Sequence, residues 1–286
     1  MKTPGEMPRF GCRRSKFDCV VNYAFVIAGS EATGGAGIQV DLKTFQHLDV
    51  YGIGAITCIV SFDPGNNWAH RFVPVDPRVI ADQIEAATSA HDLNVVKIGM
   101  LGAPRTIDVV AEALQEHAFG HVVLDPVLIC KGQEPGAALD TDTALREKVL
   151  PHATVITPNN FEAVTLSGLS SLETVEDLKQ AARLIHEQGP KYVVVKGGID
   201  FPGPDAVDVL FDGSDFHVFS EPKIGQDRVS GAGCTFAAVI TAELAKGAGV
   251  VDAVAAAKRV VTRAVHDAQT SNAPFSSVWL SADNRD

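Results

Sequence analysis

The chain lacks paired cysteines. It has five in 286 residues, an odd number, and no two stand in C-x-x-C spacing. That argues against a disulfide framework and against a structural zinc site. Free thiols suit a reducing compartment, so a cytoplasmic location is expected. No apolar run is long enough to span a bilayer, and no membrane association is expected. Basic residues are also scarce: 24 Lys and Arg face 35 Asp and Glu, for a formal net charge of −11. A field of that sign disfavours nucleic acid and anionic membrane surfaces as partners. A small anionic ligand remains possible, because backbone amides, one lysine and a metal ion reverse the potential locally. Repeats and low-complexity blocks are absent. The first 16 residues are partly basic but run into no apolar signal-peptide core. Residues 1–19, with Cys12 and Cys19, are read as a disordered extension without a functional role, and residues 20–286 as one domain.

What is present is an alternation. Residues 23–28 read as a strand and 36–48 as a helix with Ile38, Leu42, Phe45 and Leu48 on one face. Strand patterns recur at 54–60, 95–98, 121–127, 154–157 and 192–196. Helical patterns lie between them at 77–90, 104–117 and 173–187. This order implies an α/β fold with a mainly parallel sheet covered by helices on both faces. Residues 205–211 and 215–219 flank Asp212-Gly213-Ser214, a hairpin signal that predicts a sheet edge. Two alanine-rich helices follow at 235–246 and 251–269.

In an open parallel sheet, ligands bind outside the carboxyl ends of the strands, and the unusual loops fall there. Residues 28–37 form a glycine-rich turn without dinucleotide-fingerprint spacing and without a Walker lysine. It is either a tight structural turn or a floor for a flat small molecule. Asp41 and Lys43 beyond it read equally well as solvated charges. Asp125 ends a strand, where it could cap a turn or hold Mg²⁺ through water. Asn159 and Glu162, three apart, suit a helix cap or indirect contact with Mg²⁺ and a triphosphate. Lys196-Gly197-Gly198 is either a snorkelling lysine before a turn or a nucleotide contact. Gly231-Ala232-Gly233-Cys234 stands where a loop becomes a helix. First-turn amides and the helix dipole favour an anion there, and a thiol in that place is expected to ionise more easily. Either Cys234 is an activated thiol or it is simply a small buried residue.

Six ordered segments together resemble the ribokinase superfamily, and within it the hydroxymethylpyrimidine and pyridoxal kinase branch. They are AGSEATGGAGIQVDLKTF (28–45), KIGML (97–101), LDPV (124–127), TPNNFE (157–162), VKGG (195–198) and SGAGCTF (230–236). The resemblance covers residues 23–268. It implies a three-layer α/β/α sandwich with a small lid or flap, ATP and Mg²⁺, and a homodimer. Phe62 takes the place where pyrimidine kinases usually carry a glutamine, and Cys130 follows the Asp-Pro-Val strand. Both features are similar to the dual-cysteine pyridoxal kinases.

On that resemblance the expected reaction is ATP-dependent phosphorylation of the pyridoxal 5′-hydroxyl. Gly231, Ala232, Gly233 and Cys234 would form the anion hole, with Cys234 as base. Cys130 would hold the aldehyde as a hemithioacetal, under a lid at 131–138. Gly29, Ser30, Glu31, Gly37, Phe62, Met100 and Val127 would contact the vitamin. Asp125, Asn159, Glu162, Lys196, Gly197 and Gly198 would serve the nucleotide, with Asp125 and Glu162 near the metal through water. The competing readings are a hydroxymethylpyrimidine kinase, a silent vitamin-binding protein and a thiol redox sensor.

Overall fold

The computed structural model describes residues 21–128 and 135–281, with residues 135–139 as backbone alone. Its strands are β1 (Tyr23–Glu31), β2 (Tyr51–Asp63), β3 (Ala69–Pro74), β4 (Val95–Ile98), β5 (His121–Leu124), β6 (Val155–Ile156), β7 (Tyr192–Lys196), β8 (Asp205–Phe211) and β9 (Phe216–Pro222). They form one sheet in the order β3-β2-β1-β4-β5-β6-β7-β8-β9. The six strands from β2 to β7 pair in parallel, while β3, β8 and β9 pair antiparallel at the two edges. The expected 205–219 hairpin is therefore a sheet edge, as its Asp-Gly turn predicts. Asp212 Oδ1 accepts from the Ser214 and Asp215 amides and closes that turn.

The helices are α1 (Gly37–His47), α2 (Pro77–Ala90), α3 (Pro104–Glu116), α4 (Pro135–Lys148), α5 (Asn160–Ser167), α6 (Val175–His186), α7 (Ala232–Ala245) and α8 (Val250–His266). Their starts are written locally. Pro77 opens α2 while Asp76 accepts from the Arg78 amide, and Thr174 with Asp177 makes a capping box on α6. Strand alternation splits the core. Val96, Ile98, Val122 and Leu124 join the cluster under α2, α3 and α6. Val95 and Val123 join the opposite one, under α7 and α8. Helices thus cover both faces, the α/β/α sandwich expected.

Three segments differ from the sequence reading. β2 runs on to Asp63 and returns as β3, so residues 61–67 are the end of a hairpin and not a plain loop. β3 is an edge strand with half or more of its side chains in water, which leaves little apolar pattern to read. α5 is a two-turn helix, and α4 begins at Pro135, inside the segment read as a lid.

Chain order reverses between β1 and β4: from β1 the chain goes outward to β2, and later re-enters on the other side as β4. This switch point opens a crevice at the carboxyl ends of the two strands.

Candidate active site

β1 ends at the glycine loop, whose shape is set by Glu31. The Glu31 carboxylate accepts from the Thr33 amide at 2.6 Å, the Thr33 hydroxyl at 2.7 Å and the Gly35 amide at 3.2 Å. Glu31 therefore braces the loop in which the vitamin contacts were expected. Ser30 Oγ accepts from Gln39, and Lys43 donates to the Gly34 carbonyl, so Lys43 ties the loop too. Gly29 admits no side chain: a Cβ there would lie 2.6 Å from Cys58 Sγ and 3.7 Å from Met100 Sδ. Asp41 is not a solvated charge. It is wholly buried and pairs with Lys97 at 2.9 Å.

α7 begins on Gly231, which caps it at φ +84. Ser230 is pinned on both sides by the C-terminal segment, donating to the Ser276 carbonyl and accepting from the Val278 amide. Sequence reading stopped short of this segment because its partner lies more than forty residues away. The Gly233 and Cys234 amides fall in the first turn, where no helical carbonyl serves them. The Ala232 amide makes a long bond of 3.4 Å to the Val229 carbonyl. Two full donors, with a third partly engaged, thus stand at the positive end of the helix.

Cys234 is half-buried, and the Gly37 amide donates to its sulfur. Burial pushes the thiol up to about 12. Lys97 and the Gly37 hydrogen bond pull the other way, and the Asp41 and Asp125 charges add to the rise. The expectation of an easily ionised thiol is corrected: desolvation outweighs the pull of Lys97 and of the Gly37 hydrogen bond. Cys58, the other free cysteine among the described residues, is buried and raised to about 11 by the same cause. Cys130 lies outside the described residues, as do Cys12 and Cys19. So does most of the segment expected to form a lid.

Lys196 links the remaining groups. Its ammonium lies 3.4 Å from Asp125 Oδ1 and 5.7 Å from the centre of the Phe236 ring. A Cβ on Gly233 would stand 3.5 Å from the same nitrogen. It is no surface lysine: its side chain is 11% exposed. Asp125 is buried, and the Thr157 hydroxyl lies at 3.5 Å from its carboxylate. Asn159 and Glu162 form a reciprocal capping box on α5, with bonds of 2.8 and 2.9 Å. The Gly197 amide donates to Val207 and to Asp208 Oδ1, so it is spent on β8 and not open to a ligand. Asp208 in turn pairs with Lys258 at 2.8 Å, a brace from α8 that no motif announced. Val127 and Gly198 sit in loops at the same end of the sheet. Phe62, on the β2–β3 hairpin, packs on His70 and Phe275 with ring centres 4.6 and 5.0 Å apart.

Glu162 is buried beside Asp125. Burial first, and the neighbouring charge second, raise it to about 8. A carboxyl raised on folding holds its proton more tightly in the native state. Its stabilising contribution is complete below about 4.5 and is lost as pH climbs through about 8. In magnesium-free buffer the melting temperature should fall between about pH 5 and about pH 9, and Glu162→Gln should flatten that fall. Parallel profiles for the two proteins would contradict it.

Two buried carboxylates, Asp125 and Glu162, with one ammonium beside them, are a donor set that fits a divalent cation. Mg²⁺ keeps most of its waters and needs one or two carboxylates plus phosphates. No group of three His, Cys, Asp or Glu able to hold a metal occurs among the described residues. Two surface hollows lie elsewhere. One, of about 420 Å³, is lined by His91, Asn94 and His117 at the opposite ends of the strands. The other, of about 600 Å³, lies between Asp108 and His152.

Known proteins are similar to this chain in sequence and fold. The chain is 46% identical over 244 residues to the pyridoxine kinase of Bacillus subtilis, covering 85% of this chain and 90% of that one. It is 39% identical over 247 residues to the hydroxymethylpyrimidine/phosphomethylpyrimidine kinase of the same organism, covering 85% and 89%. The solved pyridoxal kinase of Staphylococcus aureus in complex with AMP-PCP and pyridoxal superposes with a TM-score of 0.85 at 38% identity, covering 93% and 96%. The phosphomethylpyrimidine kinase family matches residues 31–279, which reaches past the 268 expected and takes in the segment that pins Ser230. With most of the glycine loop, the Asp125–Lys196 pair and the amides of α7 inside that match, the chain belongs to the phosphomethylpyrimidine kinase family.

Proposed function

We propose that this protein is a pyridoxal kinase, transferring the γ-phosphoryl group of ATP to the 5′-hydroxyl of pyridoxal. The observation that carries the phosphoryl site is Lys196, held between the Asp125 carboxylate and the start of α7. A triphosphate whose last group meets the Gly233 and Cys234 amides passes this ammonium on its way. The likeness to pyridoxine and pyridoxal kinases supports the acceptor. So does Phe62, whose ring can pack beside a pyridine but cannot pair with a pyrimidine edge.

The groups divide the work as in other phosphoryl transfers, by positioning and by charge stabilisation. The α7 amides receive the charge on the transferred oxygens. Cys234 takes the 5′-hydroxyl proton as the new O–P bond forms and the bond to the ADP oxygen breaks. The thiolate is the active form, so turnover rises with pH through the neutral range. Asp125 and Glu162 would hold Mg²⁺ through water, and the ion would neutralise phosphate charge. Thr157 and the Asn159 cap keep those carboxylates in place.

The second sulfur belongs to this proposal as well. The Cys130 thiolate adds to the aldehyde carbon, forming a C–S bond, and the carbonyl oxygen takes a proton. That orients the ring, a kind of effect that lowers barriers by several kcal/mol. The protein works as a cytoplasmic homodimer. Cys130→Ala should cost pyridoxal roughly tenfold or more in kcat/KM while sparing pyridoxine, which has no aldehyde. Equal losses on both would remove the hemithioacetal.

The relative that phosphorylates hydroxymethylpyrimidine supports a second reading, in which both vitamins are accepted. One assay separates them: purified protein with Mg²⁺, ATP and equal pyridoxal and hydroxymethylpyrimidine, with both phosphorylated products quantified. A predominance of pyridoxal 5′-phosphate is expected; a predominance of the pyrimidine product would overturn the assignment.

A further inference from the structure

Lys97 and Asp41 are both wholly buried, and they meet at 2.9 Å. An ion pair in that position is poor evidence of stabilisation, because taking two charges out of water costs about as much as their attraction returns. Its place in the fold is more telling. Alternation along β4 puts Lys97 on the same face as Val95, toward the layer of α1, α7 and α8. Its nitrogen would lie 3.2 Å from a Cβ on Gly99, just past the carboxyl end of β4. The ammonium thus sits at the crevice end of the sheet. Asp41 stands one helical turn after Gly37 on α1, hence on the same face. Gly37 is the residue whose amide donates to Cys234 sulfur. Helix α1 therefore presents a donor to the sulfur at its first residue and a carboxylate to Lys97 one turn below. Asp41 Oδ1, the second carboxylate oxygen, is buried without a hydrogen-bond partner.

We propose that the Lys97–Asp41 pair is a positioning device for Cys234, in which the ammonium supports negative charge on the sulfur and the carboxylate holds the ammonium in place. The inference rests on the reading of Cys234 as base and deepens it. The charged groups that bear on the sulfur are Lys97 from β4, Asp41 from α1 and Asp125 from the end of β5; Lys196 approaches the neighbouring Gly233. Burial opposes the Lys97 charge, but Asp41, with help from Cys234 and Asp125, holds it above the ordinary lysine range. Burial lifts Asp41 against the pull of Lys97, and the 2.9 Å contact between them is that of an ion pair. Of the pair's two effects on the sulfur, the favourable one from Lys97 is the larger.

The test reads the sulfur directly. The rate at which iodoacetamide alkylates Cys234 is followed by mass spectrometry of its peptide, across pH, in the full-length protein. Replacing the pair with apolar residues of similar size, Lys97→Met with Asp41→Leu, keeps the core filled. It should slow alkylation at least tenfold at fixed pH and move the acid limb of the kcat profile upward by about a unit. Asp41→Asn alone leaves the buried ammonium without the charge that holds it, and should also slow alkylation. It is the milder change should the double variant fail to fold, and because Asn fills the same space as Asp, slowing in it follows the charge and not the packing. Slower alkylation in both variants supports the proposal. Unchanged or faster alkylation in Asp41→Asn overturns it. Normal turnover in Cys234→Ala would instead refute the base assignment, whatever the alkylation shows.

Discussion

Cys234→Ala should lower kcat by roughly two to four orders of magnitude, the range that a lost general base produces. KM for ATP should stay within about twofold, because the nucleotide is held by backbone amides and by Lys196, which the substitution leaves in place. The size of the loss follows from what sits around the sulfur. The Gly37 amide donates to it and Lys97 bears on it electrostatically, so a methyl group there leaves a donor and an ammonium without their anion. The pH dependence is a second part of the same expectation. With the thiol raised to about 12 by burial, wild-type turnover should climb with pH through and beyond neutrality. The variant should lose that slope. A variant that turns over at near-normal rate, with an unchanged pH profile, would show that the sulfur is only a small buried side chain.

Gly231→Ala should be severely damaging for the addition of a single methyl group. Gly231 has φ +84, in the left-handed region, and a Cβ there would run into the Gly35 carbonyl. The backbone alone costs about 1–2 kcal/mol for any L-residue. The clash adds to this, because the obstacle is main chain on the loop that Glu31 braces and cannot swing aside as a long side chain would. Relief requires either the glycine loop or the first turn of α7 to move, and both are walls of the site. A lost anion-hole donor typically costs about 10²–10³ in kcat. A fall of that size is expected, together with a lower melting temperature. Gly198→Ala is the useful contrast, since it also has a positive φ (+59) but no atom within 4 Å of the new Cβ. It should strain the backbone without displacing a neighbour and should leave kcat far less affected. If Gly231→Ala matched it in both readouts, the packing of Gly231 on Gly35 would carry no functional weight.

Much of the fold could be read because period and punctuation agreed. Residues 77–90 carried a proline at the right end and a 3.6-residue pattern, and α2 is Pro77–Ala90. The Asp-Gly turn at 212–213 marked an edge hairpin because its chemistry is local. β3 escaped because an edge strand lying against water needs no apolar alternation. The strand-end positions of Asp125 and Lys196 were legible for a topological reason, since the loops of a parallel sheet gather at one end. Their meeting at 3.4 Å was not, because nothing in either segment refers to the other.

The thiol shows the same limit more sharply. A helix terminus is a local feature, and it argued for easy ionisation. Burial is a property of the assembled layers, and it reversed the direction. For Asp41 a signal did exist. Lys97 is the lone charge in a four-residue strand flanked by apolar residues, and Asp41 lies among Ile38, Leu42 and Phe45 on α1. A lysine in a strand covered on both faces needs a buried partner, and an acid on the apolar face of an adjacent helix is the candidate to supply it.

The most direct measurement is a crystal structure of the protein with pyridoxal and a non-hydrolysable ATP analogue. The terminal phosphate should rest on the Gly233 and Cys234 amides, the 5′-hydroxyl within hydrogen-bond reach of Cys234 Sγ, and the aldehyde carbon against Cys130. A vitamin ring bound with its hydroxymethyl group turned away from Cys234, or a nucleotide whose last phosphate lies clear of α7, would contradict the account.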